Sequence, residues 1–403
     1  MIDFELLPST KKMQKEAHER AAGLFRKIAR HYDVHEHTRV QELYDERDAY
    51  ARLAEMPAPK EKKEEKAPAR PADTRSEPSL AGVVNAEEMC WGDAGIMLAN
   101  PAAGLGNAAI MTVGTPEQRQ RFGGKLAAMA ITEPCCGSDS AAIQATAKLD
   151  EKTHEWIING EKIFVTAGEQ CQAVVVWASL DRSKGRAAMK SFVVEKGTPG
   201  MTVTKLEKKL GIRASDTASI FFDDCRIPYT NILGSPEIKE RSAGFGGVMA
   251  TFDATRPLIA AMAIGVARAA MEFTKEKLET EEGYTFPYDK GKHSLNAVQA
   301  SMMEMEANLD VARLLAWRAA AMMQKGLRNS LEASMAKAKA GRAATLVTQR
   351  CVEFLGTIGY SCDNLVEKWM RDCKINDIFE GTGQIQMLIV ARQILGFSRA
   401  QLK

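Results

Sequence analysis

The 403-residue chain contains no run of about 18 consecutive apolar residues, and its formal net charge is only +2. The first absence argues against a membrane-spanning helix. The second argues against an electrostatic nucleic-acid binder, which carries a strong basic excess. Its eight cysteines include no C-x-x-C pair. Free thiols in a reducing compartment are therefore expected, rather than a disulfide framework or a zinc ribbon. No H-E-x-x-H motif occurs among the six histidines, which removes the zincin class, and no metal site is expected. The start, Met1-Ile2-Asp3-Phe4-Glu5, is acidic and leads into no apolar run. Neither a secretory signal nor an arginine-rich transit segment is expected, and the expected location is the cytoplasm.

What is present is ordinary globular composition, 45% apolar and 26% charged, in a chain long enough for two or three packed units. Residues 9–55 are helix-prone, with Ala17, Ala21, Leu24, Ile28 and Ala29 at helical spacing. Residues 57–78 hold five prolines and a charge run with almost nothing to bury, which reads as a flexible linker. Helical periodicity returns from Ser79 to Ala127, and Thr115 is placed to cap a short helix over 116–121. From about Ala130 the texture changes to short β-type runs: 156–158, 163–165, 174–177, 191–194 and 219–222. Turn residues bound them, among them Asn159-Gly160, Thr198-Pro199-Gly200 and Asp223-Asp224, so a small antiparallel barrel or sandwich is expected. From Gly244 on, long helical patterns at about 252–282, 295–325 and 330–356, with a shorter one at 364–370, suggest a bundle. The expected division is an N-terminal helical domain at 1–129, a middle β domain at 130–240 and a C-terminal bundle at 241–403.

One stretch in the last unit stands out, Ile378 to Gln386, read I-F-E-G-T-G-Q-I-Q. A single carboxylate, Glu380, follows the bulky Phe379 and precedes Gly381. Thr382 is placed to cap the amphipathic run that follows. An apolar neighbour raises a carboxylate's pKa and a helix N-terminus lowers it. A general base needs such a balance, although a lone glutamate here is more often a plain capping charge.

Five motifs resemble the acyl-CoA dehydrogenase family. They are Met129-Ala130-Ile131-Thr132-Glu133-Pro134-Cys135-Cys136-Gly137-Ser138-Asp139, then 159–168 (N-G-E-K-I-F-V-T-A-G), and 211–217 leading to Arg226-Ile227-Pro228. Phe252-Asp253-Ala254-Thr255-Arg256-Pro257 and the stretch around Glu380 complete the set. The resemblance covers about 130–392 and is weak before residue 80. It implies a mostly α fold with a middle β domain: an N-terminal helical domain, a small antiparallel β barrel and a C-terminal four-helix bundle. It also implies FAD as cofactor, an acyl-CoA thioester as substrate and an electron-transfer flavoprotein as electron acceptor. Glu380 would remove the α-proton, since Ala254 and Thr255 offer no carboxylate where other members carry one. Met129, Ile131 and Thr132 would lie along the flavin, Phe164 would stack on it and Thr166 would bond its edge. Gly137 and Ser138 would approach the cofactor or ligand, glycine because only bare backbone fits. Thr382 and Gln384 would contact the adenine half of FAD. Ser138, Phe252, Asp253, Arg256, Phe379 and Gly381 would line the substrate channel. Two other readings are an acyl-CoA oxidase releasing peroxide and a non-catalytic CoA-ester-binding paralogue.

The sequence departs from the family at four places. Thr285-Phe286-Pro287-Tyr288-Asp289 lacks the arginine of the family's R-x-x-F-G loop, Asn296 replaces a glutamine, and Glu353-Phe354-Leu355-Gly356-Thr357 replaces Q-x-x-G-G. In the family those three regions reach a neighbouring subunit's FAD. The expectation is a homotetramer or homodimer, with a hetero-oligomer as the alternative. Fourth, Cys135-Cys136 stand where the family has small residues, which reads as size tolerance, with redox sensitivity as the alternative. No arginine falls between Asn100 and Met111, which argues weakly against a dicarboxylic acyl group.

Overall fold

The structure is a computed structural model that describes residues 5–55, 77–101, 104–238, 243–397 and 401. The expected linker lies almost wholly outside these residues. Its last member, Pro78, instead opens a helix as a first-turn residue, where the missing N–H has no intrahelical acceptor to lose. Among the described residues seven helices come first: α1 (Pro8–Arg20), α2 (Arg26–Val34), α3 (Gln41–Glu55), α4 (Pro78–Gly92), α5 (Ala94–Leu98), α6 (Leu105–Val113) and α7 (Pro116–Phe122). A π-helical stretch, Ala21–Phe25, joins α1 to α2. The expected cap of α7 is present: Thr115 accepts from Gln118 N–H at 3.3 Å, and Gln118 accepts from Thr115 N–H at 3.0 Å.

Seven strands follow: β1 (Ala127–Ala130), β2 (Thr146–Asp150), β3 (Glu155–Thr166), β4 (Ala173–Ser179), β5 (Met189–Glu195), β6 (Met201–Leu206) and β7 (Thr217–Pro228). They form one sheet in the order β1-β4-β2-β3-β7-β6, with β5 also paired to β4. The sheet is not purely antiparallel as expected, because β1 runs parallel to β4 from Ala127/Ala173 to Ala130/Val176. A parallel pair needs a long crossover, and the chain between β1 and β4 supplies it. Strand β4 is buried along its whole length. Val174 and Val176 face one apolar cluster while Ala173, Val175 and Trp177 face another. Two expected turns prove to be strand interiors. Asn159-Gly160 lies within β3, where the register shifts at Gly160. There φ is +144°, and an added Cβ would lie 2.7 Å from that of Ala145. Asp223-Asp224 lies within β7, and Thr198-Pro199-Gly200 is a turn as expected. A bulge carries the same small and polar residues as a hairpin turn, so composition alone does not separate them.

The chain ends in α8 (Ala243–Glu281), α9 (Ala297–Gln324), α10 (Ser330–Leu355), α11 (Thr357–Tyr360), α12 (Val366–Cys373) and α13 (Gly383–Leu395). Alanines such as Ala312, Ala316, Ala336, Ala340 and Ala344 fill the bundle core. Helix α8 begins nine residues before the expected Phe252. Its glycine-rich first turns are poor helix formers, but Val248 is buried in the sheet's outer cluster and Phe252 packs against it. By length and composition α8 could also cross a membrane, but most of it is buried inside the molecule. Further along, α8 enters the bundle core through Ile259, Ile264 and Val266. One helix therefore belongs to both the sheet's core and the bundle's core, and the candidate site lies where it passes from one to the other.

Buried charges fasten the N-terminal helices to this frame. Arg268 on α8 and Arg313 on α9 bond Glu87 of α4 at 2.7 and 3.0 Å. Lys368 of α12 is fully buried between Asp93 and Asp372.

Candidate active site between the sheet and the bundle

Glu380 sits in a turn that L-residues seldom adopt. Its φ is +53° and that of Gly381 is +90°, two left-handed residues in succession. Such strain persists only where the surroundings fix it. Three groups do so. Gln386, fully buried on the first turn of α13, donates through Nε2 to the carbonyls of Glu380 (3.2 Å) and Gly381 (3.1 Å). Lys337, buried on α10, donates to the Gly381 carbonyl at 2.6 Å. Thr382 caps α13 as expected, accepting from Ile385 N–H at 3.3 Å. At Gly381 an added Cβ would run into the Gln386 amide, so this glycine is required by space as well as by φ. Among the described residues, the Glu380 N–H has no protein acceptor.

The carboxylate of Glu380 turns inward to α8, where Thr255 Oγ1 donates to Oε2 at 2.6 Å. Burial raises the Glu380 pKa above its ordinary value. The Thr255 hydrogen bond, Arg256 and Lys337 oppose that rise without cancelling it. What opposes the burial is a hydroxyl and two cations, where a helix terminus was expected. Burial lowers Lys337 to about 8, against the pull of Asp377 and Glu380. Burial also lowers Arg256, which pairs with Asp253 one helical turn away. Asp253 additionally accepts from Ser330 Oγ at 3.2 Å. Arg256 and Asp253 thus hold each other, and Phe379 packs against the bundle core. Lys337 was missed in the sequence. Its signal was a lysine on the face that carries Ala333, Ala336, Ala340 and Ala344, a stripe otherwise reserved for the core.

The sheet supplies the other wall. Met129 and Ile131 are buried in the cluster against which Phe252 packs, three residues before Thr255. The neighbouring strand is tied in by Ile163 N–H, which bonds Thr132 O at 2.9 Å. Phe164 has φ +57° and is 61% exposed, an orientation in which a large apolar ring gains nothing from its own chain. Thr166 is half-buried two residues on, while Gly137 and Ser138 are exposed. Within the protein, an added Cβ at Gly137 would meet only Thr132 Cγ2 at 3.7 Å, an ordinary contact. The protein itself does not demand glycine there. Gln384 is exposed at the start of α13, and the capping Thr382 just before it is half-buried.

The departures have local explanations. Asn296 caps α9, accepting from Gln299 N–H at 2.9 Å. Glu353 is paired with Arg350 at 2.6 Å, so its charge is not bare. Tyr288 accepts from Lys275 Nζ at 2.9 Å and donates to Glu306 at 2.5 Å, which ties the 285–289 loop to its own bundle. His31 in the last turn of α2 and His35 just past its end stack on each other at 4.4 Å on the surface.

A displayed aromatic ring, a half-buried threonine two residues along the same strand and an apolar wall suit a flat cofactor with a polar rim. The buried Oε1 of Gln386, which has no partner among the described residues, adds an unused acceptor close to the Glu380-Gly381 turn. The residues present therefore fit a flavin. Comparison with known proteins agrees. Residues 128–225 match the family model for the acyl-CoA dehydrogenase middle domain, and 242–395 match that for its C-terminal domain. The mitochondrial short-chain specific acyl-CoA dehydrogenase of Rattus norvegicus is 37% identical over 325 residues, 78% of this chain and 76% of that protein. The butyryl-CoA dehydrogenase of Megasphaera elsdenii superposes with a TM-score of 0.82 at 29% identity, covering 98% of this chain and 100% of the other. A chain of the structure described as that of the electron transferring flavoprotein of Acidaminococcus fermentans gives 0.81 at 29% identity, covering 98% and 100%. Sequence, fold and site together place the chain in the acyl-CoA dehydrogenase family, as an FAD-dependent acyl-CoA dehydrogenase.

Proposed function

We propose that the protein removes the α-proton and β-hydride of an acyl-CoA thioester, with Glu380 as the base, and passes the electrons to an electron-transfer flavoprotein. The observation that carries this reading is the left-handed Glu380-Gly381 turn, with its carboxylate held by Thr255 and its N–H without an acceptor among the described residues. That N–H can donate to the thioester carbonyl, where negative charge develops as the α-proton leaves. Lys337 and Gln386 hold the turn so that donor and base keep a fixed separation. Arg256, buried beside the carboxylate, favours the ionised base before reaction. FAD, when bound, accepts the β-hydride. Met129, Ile131, Thr132, Phe164 and Thr166 would hold its ring system, Gly137, Ser138, Thr382 and Gln384 its remaining contacts. Ser138, Phe252, Asp253, Arg256, Phe379 and Gly381 would line the path of the thioester. The likeness to the structure described for an electron transferring flavoprotein supports the choice of electron acceptor.

The test is anaerobic bleaching of the flavin by a panel of acyl-CoAs, with Glu380→Gln as control. We expect the variant to bind ligand but bleach about 10²–10⁴-fold more slowly, the range of a lost general base. Normal bleaching by the variant would refute the assignment. Peroxide released on turnover in air would favour the oxidase reading.

A homo-oligomer is part of the same proposal. Met387, Leu388, Ile394 and Leu395 on α13 and Leu346 on α10 are exposed apolar side chains, and a second copy would cover them. With the 285–289 loop tied to its own bundle, FAD retention rests on other contacts. One tightly held FAD per chain in the purified homo-oligomer would remove the need for a partner chain.

A further inference from the structure

The turn leading from β1 to Ser138 carries side chains that the proposed reaction does not use. Glu133 and Cys136 exchange both backbone hydrogen bonds across Pro134 and Cys135, at 3.0 and 3.1 Å. This closes a tight turn and gathers two adjacent thiols beside one carboxylate. The sulfurs are 3.6 Å apart and lie 3.7 Å (Cys135) and 3.9 Å (Cys136) from Glu133 Oε2. Cys135 is exposed, whereas Cys136 and Glu133 are buried.

These spacings suit one small ion. Two thiolates bound at about 2.3 Å in a tetrahedral shell stand about 3.8 Å apart, and a thiolate and a carboxylate oxygen about 3.6 Å. Each observed separation is within about 0.3 Å of its counterpart. The carboxylate is already oriented: Oε2 accepts from Gln144 N–H at 2.6 Å, while Oε1 accepts from Ala145 N–H at 3.0 Å and from Lys162 Nζ at 2.7 Å. Two thiolates, Glu133, Lys162 and a divalent ion sum to zero charge, which removes the main electrostatic objection to a buried ion. Sulfur ligands select against magnesium and calcium.

We propose that Glu133, Cys135 and Cys136 form a site for a thiophilic divalent cation, zinc or cadmium, with a fourth position left open. Loading breaks two S–H bonds, forms two S–metal bonds and releases two protons to solvent. The expectation of no metal site was drawn from linear spacing, and adjacent cysteines match none of the usual spaced motifs; the turn is what brings in the third ligand. Because the same turn connects Thr132 to Ser138, an ion here also reaches the proposed FAD contacts. That coupling, unlike the site itself, rests on the flavin reading.

Titrating the purified full-length protein with Cd²⁺, in excess Mg²⁺, tests the site through the ultraviolet absorption of cadmium–thiolate bonds and through equilibrium dialysis. We expect one tightly bound cadmium per chain, retained in Cys362→Ser, which removes the other exposed cysteine. We expect the absorption to be lost in Cys135→Ser and in the Cys135→Ser/Cys136→Ser double variant. Cys135 is exposed, so its variant should fold. No thiolate absorption in the wild type, or absorption that persists in the double variant, would overturn the site. A visible flavin spectrum that does not move while cadmium loads would overturn only the coupling.

Discussion

Thr255→Val removes the one hydroxyl that donates to Glu380 while keeping nearly the same side-chain volume, and its effect can be worked out beforehand. The 2.6 Å bond to Oε2 is available to the ionised base and holds its pKa below what burial alone would impose. A hydrogen bond to a charged group contributes about 1.5–3 kcal/mol, and one pKa unit corresponds to about 1.36 kcal/mol. Without that donor the Glu380 pKa should rise further above its ordinary value, with Arg256 and Lys337 left to oppose the burial. In the proposed reaction Glu380 must be ionised to act as the base. The acid limb of the pH profile should therefore move to higher pH, with little change on the plateau. The profile of kcat/KM for an acyl-CoA substrate is the right measure, because it reports the free enzyme, whose geometry is the one described. A limb that stays in place, or moves to lower pH, would show that Thr255 does not set the ionisation of the base.

Three further outcomes are expected. Gly381→Ala should displace the catalytic turn, because alanine meets both the left-handed φ and the Gln386 amide; circular dichroism should stay native while flavin bleaching falls by about the factor expected for Glu380→Gln. Lys337→Met should show a difference in stability that depends on pH. A lysine whose folded pKa (about 8) lies below the unfolded value (10.5) binds fewer protons when folded, so wild-type stability should rise relative to the variant across that window, by about 3 kcal/mol in denaturant titrations. A difference that is flat with pH would contradict the burial of that amine. Lys368→Met should leave Asp93 and Asp372 buried without their cation and destabilise by about 3–5 kcal/mol, read as a lower urea midpoint. An unchanged midpoint would count against the buried triad.

The local events near Glu380 were legible because they depend on neighbours in the chain. Thr382 caps α13 and Thr115 caps α7, each from a hydroxyl three residues before the amide it bonds. The family motifs likewise announced the fold and the cofactor. The strand count was blurred where chemistry is degenerate. Asn159-Gly160 and Asp223-Asp224 carry turn residues but occupy bulges in long strands, and β4, buried on both faces, shows no alternation to reveal its direction.

The sequence alone determined which short segments fold how, and that a lone carboxylate follows Phe379 at the head of a helix. What that carboxylate experiences was decided by tertiary structure, since its partners Thr255 and Lys337 come from helices 125 and 43 positions earlier in the chain. No periodicity encodes a separation of that length, because it is set by how α8 and α10 pack. The buried pair Glu133–Lys162 and the three sulfur and oxygen donors beside it follow the same rule: electrostatics acts through space, and only the packed chain states those distances.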